Sequence, residues 1–200
     1  MQWFNRWSDR LFRQQDEQAP VIVVSGLPRS GTSLMMQMLH VAGVPILTDN
    51  IRQPDPNNPK GYFEYEPVKQ MATGDRAWMA QATGKAVKIV SPLLPYLPLD
   101  YRYQVIFMMR DVAEIVASQT QMMYPHKPSD NAQSEYQQHL DKIKQWLAIQ
   151  PQIAVIDIQH RQAIEQPLSV AHTIAQFLGK PLDIEAMGAV IEPNLYRNRG

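Results

Sequence analysis

The chain has 200 residues, an apolar fraction of 44% and 19 basic against 19 acidic side chains. That is enough chain for one domain with a real core, and it lacks the basic surplus of a dedicated nucleic-acid binder. It has no cysteine, which excludes disulfides, thiolate metal sites and cysteine nucleophiles.

Residues 2–17 are expected to form an amphipathic helix. Trp3, Phe4, Trp7 and Leu11 recur at helical spacing, and Arg6, Arg10 and Arg13 share the other face with Asp9, Asp16 and Glu17. Such a face suits packing on the domain, a homodimer contact or a membrane surface. Residues 1–18 are therefore set apart from a single domain over 19–200. The first residues lack the uninterrupted apolar core of a signal peptide, and no apolar run approaches the roughly 20 residues of a membrane span. The expected location is the cytoplasm.

Pro20 stops the first element, and Val21-Ile22-Val23-Val24 follows as a β-branched run suited to a strand buried on both faces. A glycine-containing loop leads to an apolar helix from Thr32 to Val41, with Gly43 as its stop. Residues 48–67 hold Pro54, Pro56, Pro59 and Pro67 and read as a long loop, the kind that is usually functional or disordered. A helix is expected from Pro67. Ala86–Val90 and Gln104–Met109 read as two more buried strands. Asp111 is placed to cap a helix with Val112, Ile115 and Val116 on its core face. Residues 131–149 read as a helix and Ile153–Ile156 as a strand. A last long helix carries Ala171, Ile174, Ala175 and Leu178, and ends at Gly179 and Pro181. The alternation predicts an α/β fold, a parallel sheet with helices on both faces. Ligands of such sheets bind beyond the carboxyl ends of the strands.

The first of those ends carries Gly26-Leu27-Pro28-Arg29-Ser30-Gly31-Thr32-Ser33. Its G-x-x-x-x-G spacing between a buried strand and a helix is the context of a phosphate-binding loop. Glycines let backbone amides converge on an anion, and the helix adds unpaired N–H groups and the positive end of its dipole. A nucleoside triphosphatase would place lysine at the position of Thr32. Here the cation sits earlier, at Arg29, which speaks against a Mg-triphosphate.

This octapeptide resembles the 5′-phosphosulfate loop of the sulfotransferases that use 3′-phosphoadenosine 5′-phosphosulfate (PAPS). The resemblance implies a second motif after a later strand, an arginine with a serine eight residues on, holding the 3′-phosphate. Arg110 and Ser118 fit it. At about 100° per residue Ser118 lies roughly 20° from Asp111 around the helix, off the core stripe. Asn58–Glu64 is similar to a segment of bacterial sulfotransferase-like proteins, and Ile174–Pro181 to the I-x-x-F-L-G-x-P run of many members. The resemblance implies a P-loop fold, PAPS as donor with 3′-phosphoadenosine 5′-phosphate (PAP) as product, and no metal. It implies donor binding by Gly26, Pro28, Arg29, Ser30, Gly31, Thr32, Ser33, Arg110 and Ser118.

Sulfuryl transfer builds negative charge on the leaving phosphate, so pre-placed cations and amides are its main requirement. Arg29 and the loop amides answer it. Lys88, in a buried strand where lysine is costly unless paired or functional, is a further catalytic candidate. It is similar to the lysine of the family's K-x-H segment, but Val90 stands where the histidine would be. A hydroxyl acceptor needs a proton acceptor within hydrogen-bond reach. Glu64 is the first candidate and Asp49 the second. His126, Arg197 and Arg199 are lesser candidates for substrate contact. Of the other histidines, His40 stands near a helix C-terminus, where a cation suits the dipole, and His139, His160 and His172 read as helix-face or helix-start residues. The acceptor, whether small molecule, lipid, glycan or peptide, is set by loops. Two rivals stay open: a P-loop kinase or other ATP user, and an inactive nucleotide-binding scaffold of the same fold.

Overall fold

A computed structural model describes residues 19–49, 51–53, 55, 58, 61–122 and 128–191. The proposed N-terminal helix, His126, Arg197 and Arg199 lie outside the described residues, as do Pro59 and Lys60 of the Asn58–Glu64 segment.

Strand β1 (Val21–Gly26) leads to helix α1 (Thr32–Val41). After the 48–67 loop come a 3-10 helix at Glu66–Thr73, a short helix α2 (Met79–Ala82) and strand β2 (Ala86–Lys88). A second 3-10 stretch, Ser91–Tyr96, leads to β3 (Tyr103–Met109), α3 (Val112–Met122) and α4 (Ala132–Ala148). The chain then runs through β4 (Ile153–Gln159), α5 (His160–Glu165), α6 (Pro167–Leu178) and α7 (Ile184–Ala189).

The four strands form one parallel sheet in the order β2-β1-β3-β4. Val23 is in register with Val87 and Val105, so the carboxyl ends of β1, β2 and β3 share one edge. Side chains alternate across the sheet. Val21, Val23, Val87, Val105 and Phe107 pack with Ile115 of α3 and Leu140, Ile143 and Leu147 of α4. Ile22, Val24, Ala86, Ile106 and Met108 pack with Met35, Met36 and Leu39 of α1 and with Val170, Ala171 and Ile174 of α6. Both faces are covered, which explains the uninterrupted apolar runs of β1 and β3. Each such fully buried aliphatic side chain contributes about 1.5–3 kcal/mol.

Five elements differ from the sequence expectation, among them β4, which runs on to Gln159 rather than stopping at Ile156. The segment at Pro67 is 3-10 rather than α-helical. Strand β2 ends at Lys88, two residues early, because the next 3-10 stretch begins at Ser91 with Pro92 in its first turn, and Val90 is already its cap. Helices α5 and α7 are six residues each, too short to leave a periodic signal. Gly179, at φ 63°, ends α6 in the left-handed conformation that glycine adopts without steric penalty.

Candidate functional site

The loop after β1 is shaped around its glycines. Gly26 has φ 144°, and a Cβ there would lie 2.4 Å from Ser30 Oγ and 2.6 Å from the Met108 carbonyl oxygen. Gly31 has φ 101°, and its Cβ would lie 2.4 Å from Cδ2 of His160. Only glycine tolerates both the angle and the contact. Gly31 precedes α1, which has no side-chain cap and no acid in its first turn. The first amides of α1 therefore keep their hydrogen-bonding capacity and the positive end of the dipole.

Arg29 sits at the apex with φ 77°, a conformation that strains a non-glycine residue by about 1–3 kcal/mol. Two contacts hold it. Arg29 Nε donates to Ser118 Oγ at 3.0 Å, and Arg110 Nη1 donates to the Arg29 carbonyl at 3.1 Å. Burial lowers the Arg29 pKa from its ordinary value; Tyr62 opposes this and Arg110 adds to it. The guanidinium remains charged.

Arg110 is anchored in turn by Glu114, Nε to Oε2 at 2.8 Å. Asp111 caps α3 by accepting the Glu114 amide at 3.1 Å. Ser118 is buried on α3 and faces the loop, as the helical spacing predicts. One residue on, Gln119 Nε2 donates to the Pro28 carbonyl at 3.3 Å, and Tyr136 of α4 donates to Gln119 Oε1 at 2.5 Å. The two sequence motifs thus form one continuous surface.

Lys88 lies at the carboxyl end of β2 and points to the α1 side. Its ammonium donates to the Tyr62 carbonyl, stands 3.4 Å from Ser33 Oγ and 3.6 Å from Glu64 Oε1. Burial pushes its pKa down to about 8; Glu64 opposes this and Arg52 reinforces it. Glu64 has both oxygens engaged. Oε1 meets Arg52 Nη1 at 2.7 Å, and Oε2 meets Lys69 Nζ at 3.7 Å. The Arg52 guanidinium also covers the Tyr62 ring at 3.4 Å. The Tyr62 hydroxyl donates to Asp55 at 2.7 Å, and its pKa is raised first by burial and then by that bond. Asp49 is turned to the backbone, accepting the Ile51 and Glu66 amides at 3.0 and 2.5 Å.

The structure therefore brings the loop, Arg110, Ser118 and Lys88 to one edge of the sheet, with Glu64 behind Lys88. Sequence reading missed Tyr62, Arg52, Gln119, Tyr136 and His160. His160 is 8% exposed against the Gly31 Cα, and its pKa is pushed down to about 4 by burial and then by Arg110. An imidazole directly after an apolar strand was the available signal, but none marks the long-range partners of Gln119 or Arg52.

The residues fit an anion. Ser30 Oγ is buried and has no hydrogen-bond partner among the described residues, an arrangement that a ligand oxygen would satisfy. The same loop carries its backbone amides, the start of α1 and Arg29, and Arg110 reaches it at the Arg29 carbonyl; these are the constituents of a phosphate cradle.

A parallel sheet with a glycine loop opening its first helix, and an arginine–serine pair closing on that loop from the junction of β3 and α3, defines a P-loop-type fold. The chain belongs to the sulfotransferase domain family, whose model matches residues 19–194. No curated protein matches it. Among solved structures it is similar to a sulfotransferase of Mycobacterium tuberculosis H37Rv, with TM-score 0.58, 16% identity, and 92% of this chain and 75% of that one covered. It is also similar to the sulfotransferase domain of the Synechococcus PCC 7002 olefin synthase, with TM-score 0.53, 14% identity, and 92% and 82% covered. A mouse sulfotransferase complexed with PAP gives TM-score 0.50, 15% identity, and 92% and 67% covered. At these identities the structural likeness is one of fold.

Proposed function

We propose that the chain transfers a sulfuryl group from PAPS to a hydroxyl or amine acceptor. The carrying observation is the junction of the two motifs, Arg110 to the Arg29 carbonyl and Arg29 to Ser118, across 81 and 89 residues of sequence. One phosphate explains the glycine loop. A nucleotide with phosphates at both ends explains why a second cationic site is built against it. The complex of the mouse neighbour with PAP supports the same donor.

The donor brings an activated sulfate whose bridging oxygen leaves on the 5′-phosphate. In this reading the loop amides, Ser30, Thr32 and Arg29 hold the 5′ end, with Ser33 beside Lys88. Arg110 and Ser118 hold the 3′-phosphate. Lys88 supplies positive charge where the leaving oxygen gains negative charge, a form of stabilisation typically worth about 2.7–4 kcal/mol for one donor. Glu64, with both oxygens engaged by cations, acts by positioning Lys88 and Arg52. A cytoplasmic setting goes with this reading.

The test is the thermal midpoint with PAP and, separately, with Mg-ATP. At a hundred times its Kd a ligand stabilises by about 2.7 kcal/mol, or roughly 5–10 °C for a domain of this size. Stabilisation by PAP and not by Mg-ATP is expected. No response to PAP, or a larger one to Mg-ATP, would sink the reading.

A further inference from the structure

The proposed reaction leaves a proton to be placed. As the acceptor oxygen bonds to sulfur, the bond from sulfur to the phosphate oxygen breaks and its electron pair leaves with the nucleotide. The acceptor's O–H proton then needs a lone pair. Glu64 has both carboxylate oxygens turned to cations, Asp49 is bound to amides, and His160 is packed behind the glycine loop.

Among the described residues, one further imidazole, His139, lies beside the carboxyl end of β2. Ser91 follows Val90 just beyond β2, three residues after Lys88, and its Oγ lies 2.9 Å from Nε2 of His139. Alternation sends Lys88 to the α1 side of the sheet, while Ile89 packs in the α4-side core and Ser91 reaches α4. His139 shares a helix face with Tyr136, three residues earlier. Tyr136 reaches the donor loop through Gln119 and the Pro28 carbonyl. One turn of α4 therefore spans from the donor loop to the end of β2, and His139 lies along that span. We propose that His139, held by Ser91 through Nε2, is the group that accepts the acceptor's proton, on Nδ1. The inference rests on the donor reading above.

The surroundings suit the task. Burial, and then Lys142 on the same helix, lower the His139 pKa below its ordinary value, so the ring is neutral and holds a lone pair at pH 7. With Nε2–H donating to Ser91, that lone pair is on Nδ1. The Ser91–Tyr96 stretch brings no ionisable group but the Tyr96 phenol, and α3 brings only Glu114, which is paired with Arg110.

The experiment is a histidine-ring NMR titration of the wild-type chain with and without PAP. The His139 signals are assigned from their loss in His139→Gln, and PAP binding is read in parallel by thermal shift. The added phosphate charge should raise the His139 midpoint by about one pH unit. His139→Gln should keep PAP affinity within about threefold, while release of PAP from PAPS slows at least tenfold and loses its acidic pH limb. If PAP binds but the midpoint does not move, or the variant keeps both rate and limb, the inference is overturned and the donor reading stands. If PAP does not bind at all, both fall.

Discussion

The two halves of the proposed site are built differently. The donor half is local: a loop between β1 and α1, and an arginine and serine on the next junction, each readable as a short motif. The half proposed to face the leaving oxygen and the acceptor is assembled from distance. Lys88 comes from β2, Glu64 and Tyr62 from the 48–67 loop, Ser91 from a 3-10 stretch and His139 from α4. A phosphate is met by backbone geometry, which sequence spacing encodes. Proton transfer and the acceptor pocket are met by side chains whose proximity only the fold creates.

The largest effect that would sharpen this comparison is in the donor half. Arg110→Ala removes the proposed 3′-phosphate ligand and frees both Glu114 and the Arg29 carbonyl. Truncating one partner of a buried charged pair costs about 2–5 kcal/mol. PAP affinity, measured by calorimetry, should fall at least 30-fold. A loss below threefold would mean that the two motifs do not share one ligand.

Lys88 gives the next effect, and it separates the halves by pH. Its folded pKa of about 8 lies below the ordinary lysine value of 10.5. The unfolded chain therefore binds more protons between those values, so this group destabilises the fold below pH 8, and stability rises as pH climbs from 8 towards 10. The full span is on the order of 3 kcal/mol. Lys88→Met should lose this rise in denaturant titrations at pH 7.5 and 9.5. In the wild type PAP affinity should weaken over the same interval as the ammonium deprotonates, and in Lys88→Met it should stay flat. An equal pH slope in both proteins would remove Lys88 from the nucleotide's surroundings.

How far the sequence reached follows the same division. The parallel sheet and its helices were legible because both faces are covered, which leaves unbroken apolar runs in β1 and β3. The loop and the Arg110–Ser118 pair were legible because eight or nine residues suffice to place each. Glu64 was chosen for its neighbourhood, and the fold shows its oxygens already facing Arg52, Lys69 and Lys88. Nothing in the sequence marks Arg52, 12 residues away, as its partner. His139 read as one more helix-face histidine, because its significance depends on Ser91, 48 residues earlier.

The smallest effect tests whether the halves are coupled. Tyr136 and Gln119 connect α4 to the Pro28 carbonyl, so the helix carrying His139 is tied to the loop that carries Arg29. Tyr136→Phe keeps the ring and deletes the hydroxyl, leaving the buried Gln119 amide oxygen without its donor. Such a loss costs about 1–3 kcal/mol when a buried group is left unpaired, or roughly 2–10 °C in Tm for a chain of this length. If the chain of contacts is only packing, PAP affinity should be unchanged once the loss of stability is allowed for. If it sets the loop, affinity should fall by about threefold, and Gln119→Ala should bring the same fall with no further change when the two substitutions are combined. Residues in one hydrogen-bonded network behave in that non-additive way, whereas independent sites add.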